Sequence, residues 1–541
     1  MKMKRAILSV VLCVILVFST AACGTSEKTD NAVTTPTGDA STAKDISFPL
    51  KESVTLTMWA RFDVNASKVM SDYNGSHVFQ EMEKITNTKI NFIQPAIGQE
   101  VEQFNLMIAS NEYPDMIMGG TSYYSGGGDK AVADGVFIKL NDLIAKYAPN
   151  YSKLLEDKPE AARQCTSDND IMSAILPIMR QDNLCWHGPS IRADWLKETG
   201  LDIPVTVSDW EEMLTAMKKN HPDSTPLIFN SASSPVGEGF KNRGEDHWGV
   251  FLSAYGMGPS LYNDNGTVKL GAIQPGYKDY LELINRWYKN GLIDADFPAR
   301  DEEGVNAIIT SGKAGAMIGS VDTASNLFGS QKMEYVTAPY PVLKEGDKIN
   351  YRAFDAVASP IANSVSISSQ CKNPEIAVAW LDYAFSEKGS LLYNYGIEGE
   401  GYTLKDGKPV FTDTVLNNPE ISSESALFMY KMQSFPQLRY GVFANPGSVR
   451  KPAVMEQKTA WTEQCTADLA MPPVTLTADE AKAYSGIMST VNVYRNEMVL
   501  KFIMGAESLD KFDSYVTQME KMGINDAVKI YQDALNRYMK R

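Results

Sequence analysis

Two pairs of carboxylates, Glu398 with Glu400 and Asp294 with Asp296, have the spacing that general acid–base chemistry could use. Cleavage of a glycosidic bond needs two such groups held roughly 5–9.5 Å apart across the scissile bond, and acids in turns are far more often simply solvated. The chain has no His-Glu-x-x-His and no Gly-x-Ser-x-Gly, and its four histidines leave little for a catalytic network. Beyond the N-terminal segment the cysteines are Cys165, Cys185, Cys371 and Cys465, without the close spacing of a zinc site. An enzyme, a metal and a cofactor are therefore not expected. An even number of thiols permits disulfides in an exported chain, and Cys165 with Cys185 is the most local pairing.

What remains is recognition without bond breaking. Flat rings beside carboxylates, amides and guanidinium groups suit a sugar, which presents apolar C–H faces and polar rims. Tyr123 and Tyr124 lie within the glycine-rich stretch Gly119–Gly128, where large side chains have no obvious core to fill. Arg61 and Arg352 could fork onto hydroxyls or a uronate, and Trp248 and Trp461 lie in irregular stretches from which a ring could reach a ligand. Trp195, Trp210, Trp287 and Trp380 fall on helical segments and read as core.

The elements that must position these groups alternate between strand and helix. Val54–Trp59 reads as a strand, Ser76 to Ile85 as a helix and Lys89–Ile93 as a second strand, which makes a parallel crossover unit. A helix over Glu100–Ala109 precedes the strand Tyr113–Met118, and the glycine-rich stretch follows at that strand's carboxyl end, where open α/β sheets place ligands. It lacks the Gly-Lys-Ser/Thr ending of a nucleotide loop. Further on, Asp129–Tyr147 reads as two helical pieces and Asp170–Leu176 as a strand. Ser208–Glu211 reads as a capping box and Asn263–Gly266 as a hairpin turn. Lys313–Ile318 and Met333–Ala338 are strands, a helix opens at Asn373-Pro374 and closes at Gly389, and the pattern beyond Pro473 is helical. No tandem repeat is present.

The first 22 residues combine a basic head (Lys2, Lys4, Arg5), an apolar run from Ala6 to Phe18 and small residues before Cys23. This pattern is a secretory signal, too short to span a bilayer, which needs about 20 apolar residues. The small residues and Cys23 resemble the lipobox of bacterial lipoproteins, in which the cysteine thiol is lipidated, although Thr20 stands where leucine is usual. Residues 23–46, rich in Ser, Thr, Ala, Asp and Gly, read as a flexible tether. The expected location is the outer face of the bacterial cytoplasmic membrane, lipid-anchored through Cys23. Loss of the three basic residues takes the formal charge from −15 to −18, which disfavours nucleic acid. The 519 residues from Cys23 onward are too many for one core, and nothing in them calls for an oligomer, so a monomer is expected.

From Val54 onward the chain resembles the extracellular solute-binding proteins of carbohydrate ABC importers, in particular their large oligosaccharide-binding lipoproteins. The likeness runs through Val54–Trp59, Glu112–Ile117, Val132–Leu143, Ile191–Gly200, Gly312–Met317, Asn373–Trp380, Tyr395–Tyr402 and Phe502–Gly505. It implies the type 2 periplasmic-binding-protein fold: two α/β lobes around a ligand cleft, with crossing hinge strands and a helical C-terminal tail. The lobes are expected at 47–175 with 340–425 and at 176–339 with 426–541, crossing near 170–184, 336–343 and 425. The resemblance implies cleft roles for Trp59, Trp186 and Glu398, an oligosaccharide ligand and an ABC permease as partner. The family's stacking tryptophan is absent from Gly319–Thr323, and Lys219–Thr225 lacks the carboxylates of a calcium loop. The same fold with a peptide or another solute as cargo, an anchored polysaccharide-acting enzyme and a surface adhesin are the alternatives.

Overall fold

A computed structural model describes residues 46–180, 185–229, 249–258, 260–351, 363–432, 434–441, 452–466 and 468–541, within the unit Ile46–Arg541. Its strands in chain order are β1 (Val54–Trp59), β2 (Thr88–Ile93), β3 (Met116–Met118), β4 (Ile178–Met179), β5 (His187–Arg192), β6 (Thr225–Phe229) and β7 (Leu261–Asp264). There follow β8 (Thr267–Leu270), β9 (Ala314–Ser320), β10 (Tyr335–Thr337), β11 (Val365–Ile367), β12 (Tyr402–Lys405), β13 (Lys408–Phe411) and β14 (Leu438–Arg439). Two four-stranded sheets organise the molecule, in the orders β11-β3-β1-β2 and β10-β5-β9-β6.

In the first sheet β1 runs parallel to β2 on one side and to β3 on the other, and β11 closes the far edge antiparallel to β3. Helix His77–Thr86 supplies the crossover between β1 and β2, and its Val78, Phe79 and Met82 are buried against the sheet. In the second sheet β6 and β9 are parallel, whereas β5 and β10 are antiparallel additions. Every residue of β9 is buried, as expected of a strand covered on both faces.

Each sheet has its own apolar core. The first gathers Leu56, Met58, Met116, Val365, Ile367, Trp380 and Phe435; the second gathers Ile191, Trp210, Ile284, Trp287, Ile318 and Val491. These are the two lobes of the periplasmic-binding architecture, each assembled from separate stretches of chain. Tyr340, Val342 and Ile349 pack in the second core and Phe428, Met432 and Phe435 in the first. β4 and β14 form a short parallel pair beside this exchange. Helices Ala478–Met504, Phe512–Lys521 and Ile524–Tyr538 form the helical end of the chain, and the first and third of them contact each other.

Several local expectations are corrected. Asp170–Leu176 is not a strand; within it only Ile175 bridges to Val365. The cap of helix Val207–Asn220 is Thr206 with Asp209, two residues earlier than Ser208 with Glu211, because Glu211 is drawn into a forked pair with Arg286 at 2.7 and 2.8 Å. Gly389 does not close the helix that starts at Pro374. That helix ends at Tyr383, and Gly389 donates its N–H to Ser386 at the start of the next, Glu387–Tyr395. The four thiols form no disulfide. Cys165 lies in the first core against the Tyr151 hydroxyl at 3.1 Å and Cys185 in the second against Tyr340 at 3.2 Å, so their local pairing is ruled out by the division into lobes.

Candidate functional site

Parallel strands that depart to opposite sides of a common neighbour leave a crevice at their carboxyl ends. In the first lobe that point lies between β1 and β3. After Trp59 the chain runs through Ala60 to the exposed Arg61, whose Nη2 donates to Asn363 Oδ1 at 3.1 Å. After Met118, Gly119 turns with φ +68° and donates its N–H to Ser364 O at 2.7 Å. What reads in sequence as a glycine-rich loop is a helical turn, Gly120–Tyr123, followed by helix Gly127–Ala133. Gly120 is required by close approach, since a Cβ there would sit 2.6 Å from Phe137 Cζ.

The aromatic residues at this point divide into a half-buried layer and a buried layer. Trp59 is 2 % exposed, enclosed edge-on by Phe104 and Tyr123 at centroid distances of 5.8 and 5.4 Å. Its expected role as a ligand platform is therefore corrected: helix Glu100–Ser110 covers the ring with Phe104, and Trp59 supports Tyr123 from beneath. Tyr123 is half-buried; burial raises its hydroxyl pKa while the nearby Arg61 cation opposes the rise. Tyr124 is half-buried too, and its hydroxyl donates to Asp134 Oδ2 at 2.6 Å, the carboxylate that also pairs with Lys130 at 2.7 Å.

In the second lobe the corresponding edge is the carboxyl end of β9. His187 pairs with Ser320, and the Trp186 carbonyl accepts from Val321 N–H at 3.1 Å. Trp186 is half-buried, whereas the His187 ring 3.8 Å away is buried. Trp461 is fully buried, which corrects its expected reach to a ligand. Its indole lies on Gly188, where a Cβ would come within 2.5 Å, and its Nε1 donates to Ala338 O at 2.8 Å. Helix Val321–Ser330 begins at this edge, and Asp322 in its first turn pairs with Lys458 Nζ at 2.5 Å.

Near the β4–β14 pair, Arg180 N–H donates to Arg439 O at 2.8 Å and the Arg180 guanidinium lies 4.5 Å from the Tyr440 ring. Burial brings Lys431 down to about 7, with Arg439 adding to the effect. Burial also brings Arg439 down to about 10, with Arg61 adding to it. Arg439 therefore lies within electrostatic reach of both Lys431 and Arg61. Glu398 stands exposed on the turn after Tyr395, and its neighbour Glu400 meets His77 Nδ1 at 2.8 Å. Trp248 and Arg352 lie outside the described residues.

Of the expected residues, Arg61 and Tyr123 are brought together at one crevice, with Trp186 on the equivalent edge of the other lobe. Asn363, Asp322 and Lys458 were not among those expected. Asn363 meets Arg61 across 302 positions of sequence, a distance over which no local pattern operates. Asp322 carried a signal in retrospect, standing where the family's stacking tryptophan is missing.

Comparison with known proteins agrees with this geometry. The sequence pattern of the bacterial extracellular solute-binding proteins matches residues 76–390. The chain is 25% identical to lipoprotein LipO of Bacillus subtilis, over 83% of this chain and 86% of that protein. It is 24% identical to FusA, the fructooligosaccharide ABC transporter substrate-binding protein of Streptococcus pneumoniae, over 99% of both chains. The structure of FusA in complex with kestose superposes with a TM-score of 0.70 at 22% identity, covering 90% of this chain and 99% of that one. Alginate-binding protein AlgQ2 superposes with a TM-score of 0.66 at 22% identity, covering 91% and 100%. The family pattern spans more than half of the chain, so the chain belongs to the bacterial extracellular solute-binding proteins.

Proposed function

We propose that this chain captures an oligosaccharide between its lobes and delivers it to the transmembrane subunits of an ABC importer, acting as a lipid-anchored monomer outside the cytoplasmic membrane. The observation that carries this reading is a half-buried aromatic at the carboxyl strand ends of each lobe, with polar groups beside it in the first. These are Tyr123 with Arg61 and Asn363 in one lobe, and Trp186 in the other. Tyr124 and the exposed Glu398 are further ligand groups on this reading, and Trp248 and Arg352 keep that assignment as well. Capture is a population shift: a ligand touching both lobes favours their closure by its differential affinity. No bond is broken and no cofactor enters.

FusA binds fructooligosaccharide by its name, and YtcQ of Bacillus subtilis is named for polygalacturonan and rhamnogalacturonan, so both neutral and acidic saccharides belong in the test. Calorimetry with kestose, nystose, oligogalacturonate and oligoalginate should find one that binds and is recovered intact by chromatography. A ligand at about 100 times its Kd stabilises the folded state by about 2.7 kcal/mol, which a thermal scan resolves. Absence of binding across the panel, or cleavage of a bound sugar, overturns the reading. Anchoring is tested separately, by fatty-acid labelling that Cys23→Ala abolishes.

A further inference from the structure

We infer that Asp322, held by Lys458 beside Trp186, is the hydroxyl-accepting group of a subsite on the second lobe, and that this subsite takes an uncharged sugar ring rather than a uronate. The inference rests on the proposed function and adds a specificity to it. Lys458 comes from helix Pro452–Gln464 and its side chain is 1 % exposed, whereas Asp322 is 31 % exposed. Desolvating an ammonium group costs several kcal/mol unless a counter-charge meets it, and Asp322 Oδ2 at 2.5 Å is that counter-charge.

The pairing uses one carboxylate oxygen. Oδ1 of Asp322 makes no hydrogen bond among the described residues, and the helix that begins here has no side-chain cap. Asp322 pairs instead with a lysine from another helix through Oδ2, and its side chain stays 31 % exposed. The Trp186 carbonyl accepts from Val321 N–H, so the Trp186 backbone adjoins the turn that carries Asp322.

A half-buried tryptophan whose backbone adjoins the turn that carries a lysine-held carboxylate matches a sugar ring in two respects. The ring's C–H face stacks on the indole, and adjacent hydroxyls donate to the carboxylate. A uronate placed there would bring a second carboxylate against the first, with the Lys458 ammonium buried behind it and already engaged. The charge pattern therefore selects against an acidic ring at this position, whatever the rest of the cleft accepts.

The test is calorimetry of wild type, Asp322→Asn and the double variant Asp322→Asn/Lys458→Met against the same four saccharides. The double variant removes the buried ammonium with the carboxylate, so it keeps the second lobe folded if the single variant does not. The expected result is a 10-fold or greater loss of affinity for the neutral sugar in a variant whose ligand-free melting temperature stays near that of wild type. The preference for neutral over acidic sugars should narrow in the same variant. Unchanged affinity and preference overturn the inference alone. Failure of wild type to bind any of the four overturns the proposed function and this inference with it.

Discussion

Asp168 ties a segment of the first lobe to the helical end of the chain. It follows the first-core residue Cys165, and its Oδ2 accepts from Arg537 Nε at 2.7 Å while Oδ1 accepts from Arg541 Nε at 2.7 Å. Both arginines lie in or just beyond helix Ile524–Tyr538, whose Ile524 and Ala527 belong to the second core. Asp168 is 15 % exposed and Arg541 6 %. Arg541 Nη1 also donates to Thr166 O at 2.8 Å, and Arg537 has a second partner in Glu480 at 2.6 Å. Removing one partner of a fully buried pair costs about 3–5 kcal/mol. Residual exposure and the fallback partners lower this, so Asp168→Asn should cost about 2–3 kcal/mol, a factor of roughly 30–150 in the folding equilibrium. In a double-mutant cycle with Arg541→Met, urea unfolding followed by tryptophan fluorescence should give a coupling of about 2 kcal/mol. Because the contact is mostly shielded, 1 M salt should change it little. A coupling below about 0.5 kcal/mol would refute the reasoning, since these charges would then behave as solvated ones.

Gly188→Ala drives a methyl group to within 2.5 Å of the Trp461 indole, which is itself held by Ala338. We expect a loss of about 1–3 kcal/mol by calorimetry, and an unchanged melting temperature would contradict the packing. Asp382 accepts from Asn150 Nδ2 at 2.7 Å and Tyr151 N–H at 2.8 Å at the start of helix Pro149–Asp157. Asp382→Ala strands these donors and should cost about 1–3 kcal/mol, read as a lower urea midpoint. Lys431 has its pKa lowered by burial from 10.5 to about 7. Below pH 7 it is protonated in both states and the cost of burying the charge is fully present. Between about 7 and 10.5 the unfolded chain binds the extra proton, so this group makes stability rise with pH. Melting temperatures from pH 6 to 9.5 should show that rise in wild type relative to Lys431→Met, and parallel curves would exclude it.

The strands and helices around β1 and β2 could be read from the sequence because their signals are local: alternation in Val54–Trp59 and helical spacing from His77. Ambiguity began where two local signals competed. Thr206-x-x-Asp209 and Ser208-x-x-Glu211 both satisfy the capping-box pattern, and a partner 75 positions away, Arg286, removes Glu211 from the contest. The site was harder to read because exposure is a tertiary property. Trp59 ends a strand as a cleft residue should, yet Phe104, from a helix later in the chain, closes over it. Trp186 ends up at the surface through the pairing of His187 with Ser320, which no spacing in the sequence records.

The placement of β11 has a consequence for how the protein comes into being. It completes the first sheet at the edge of β3, yet it leaves the ribosome long after β3, once most of the second lobe has been made. Until Val365 emerges, β3 has an unsatisfied backbone edge of the kind that invites wrong partners. The first lobe to be started thus cannot complete its sheet until much of the second lobe's chain has also been made. That delay keeps the early part open, and it makes the stretch around Val365 a place where a truncation would leave a sticky, incomplete product.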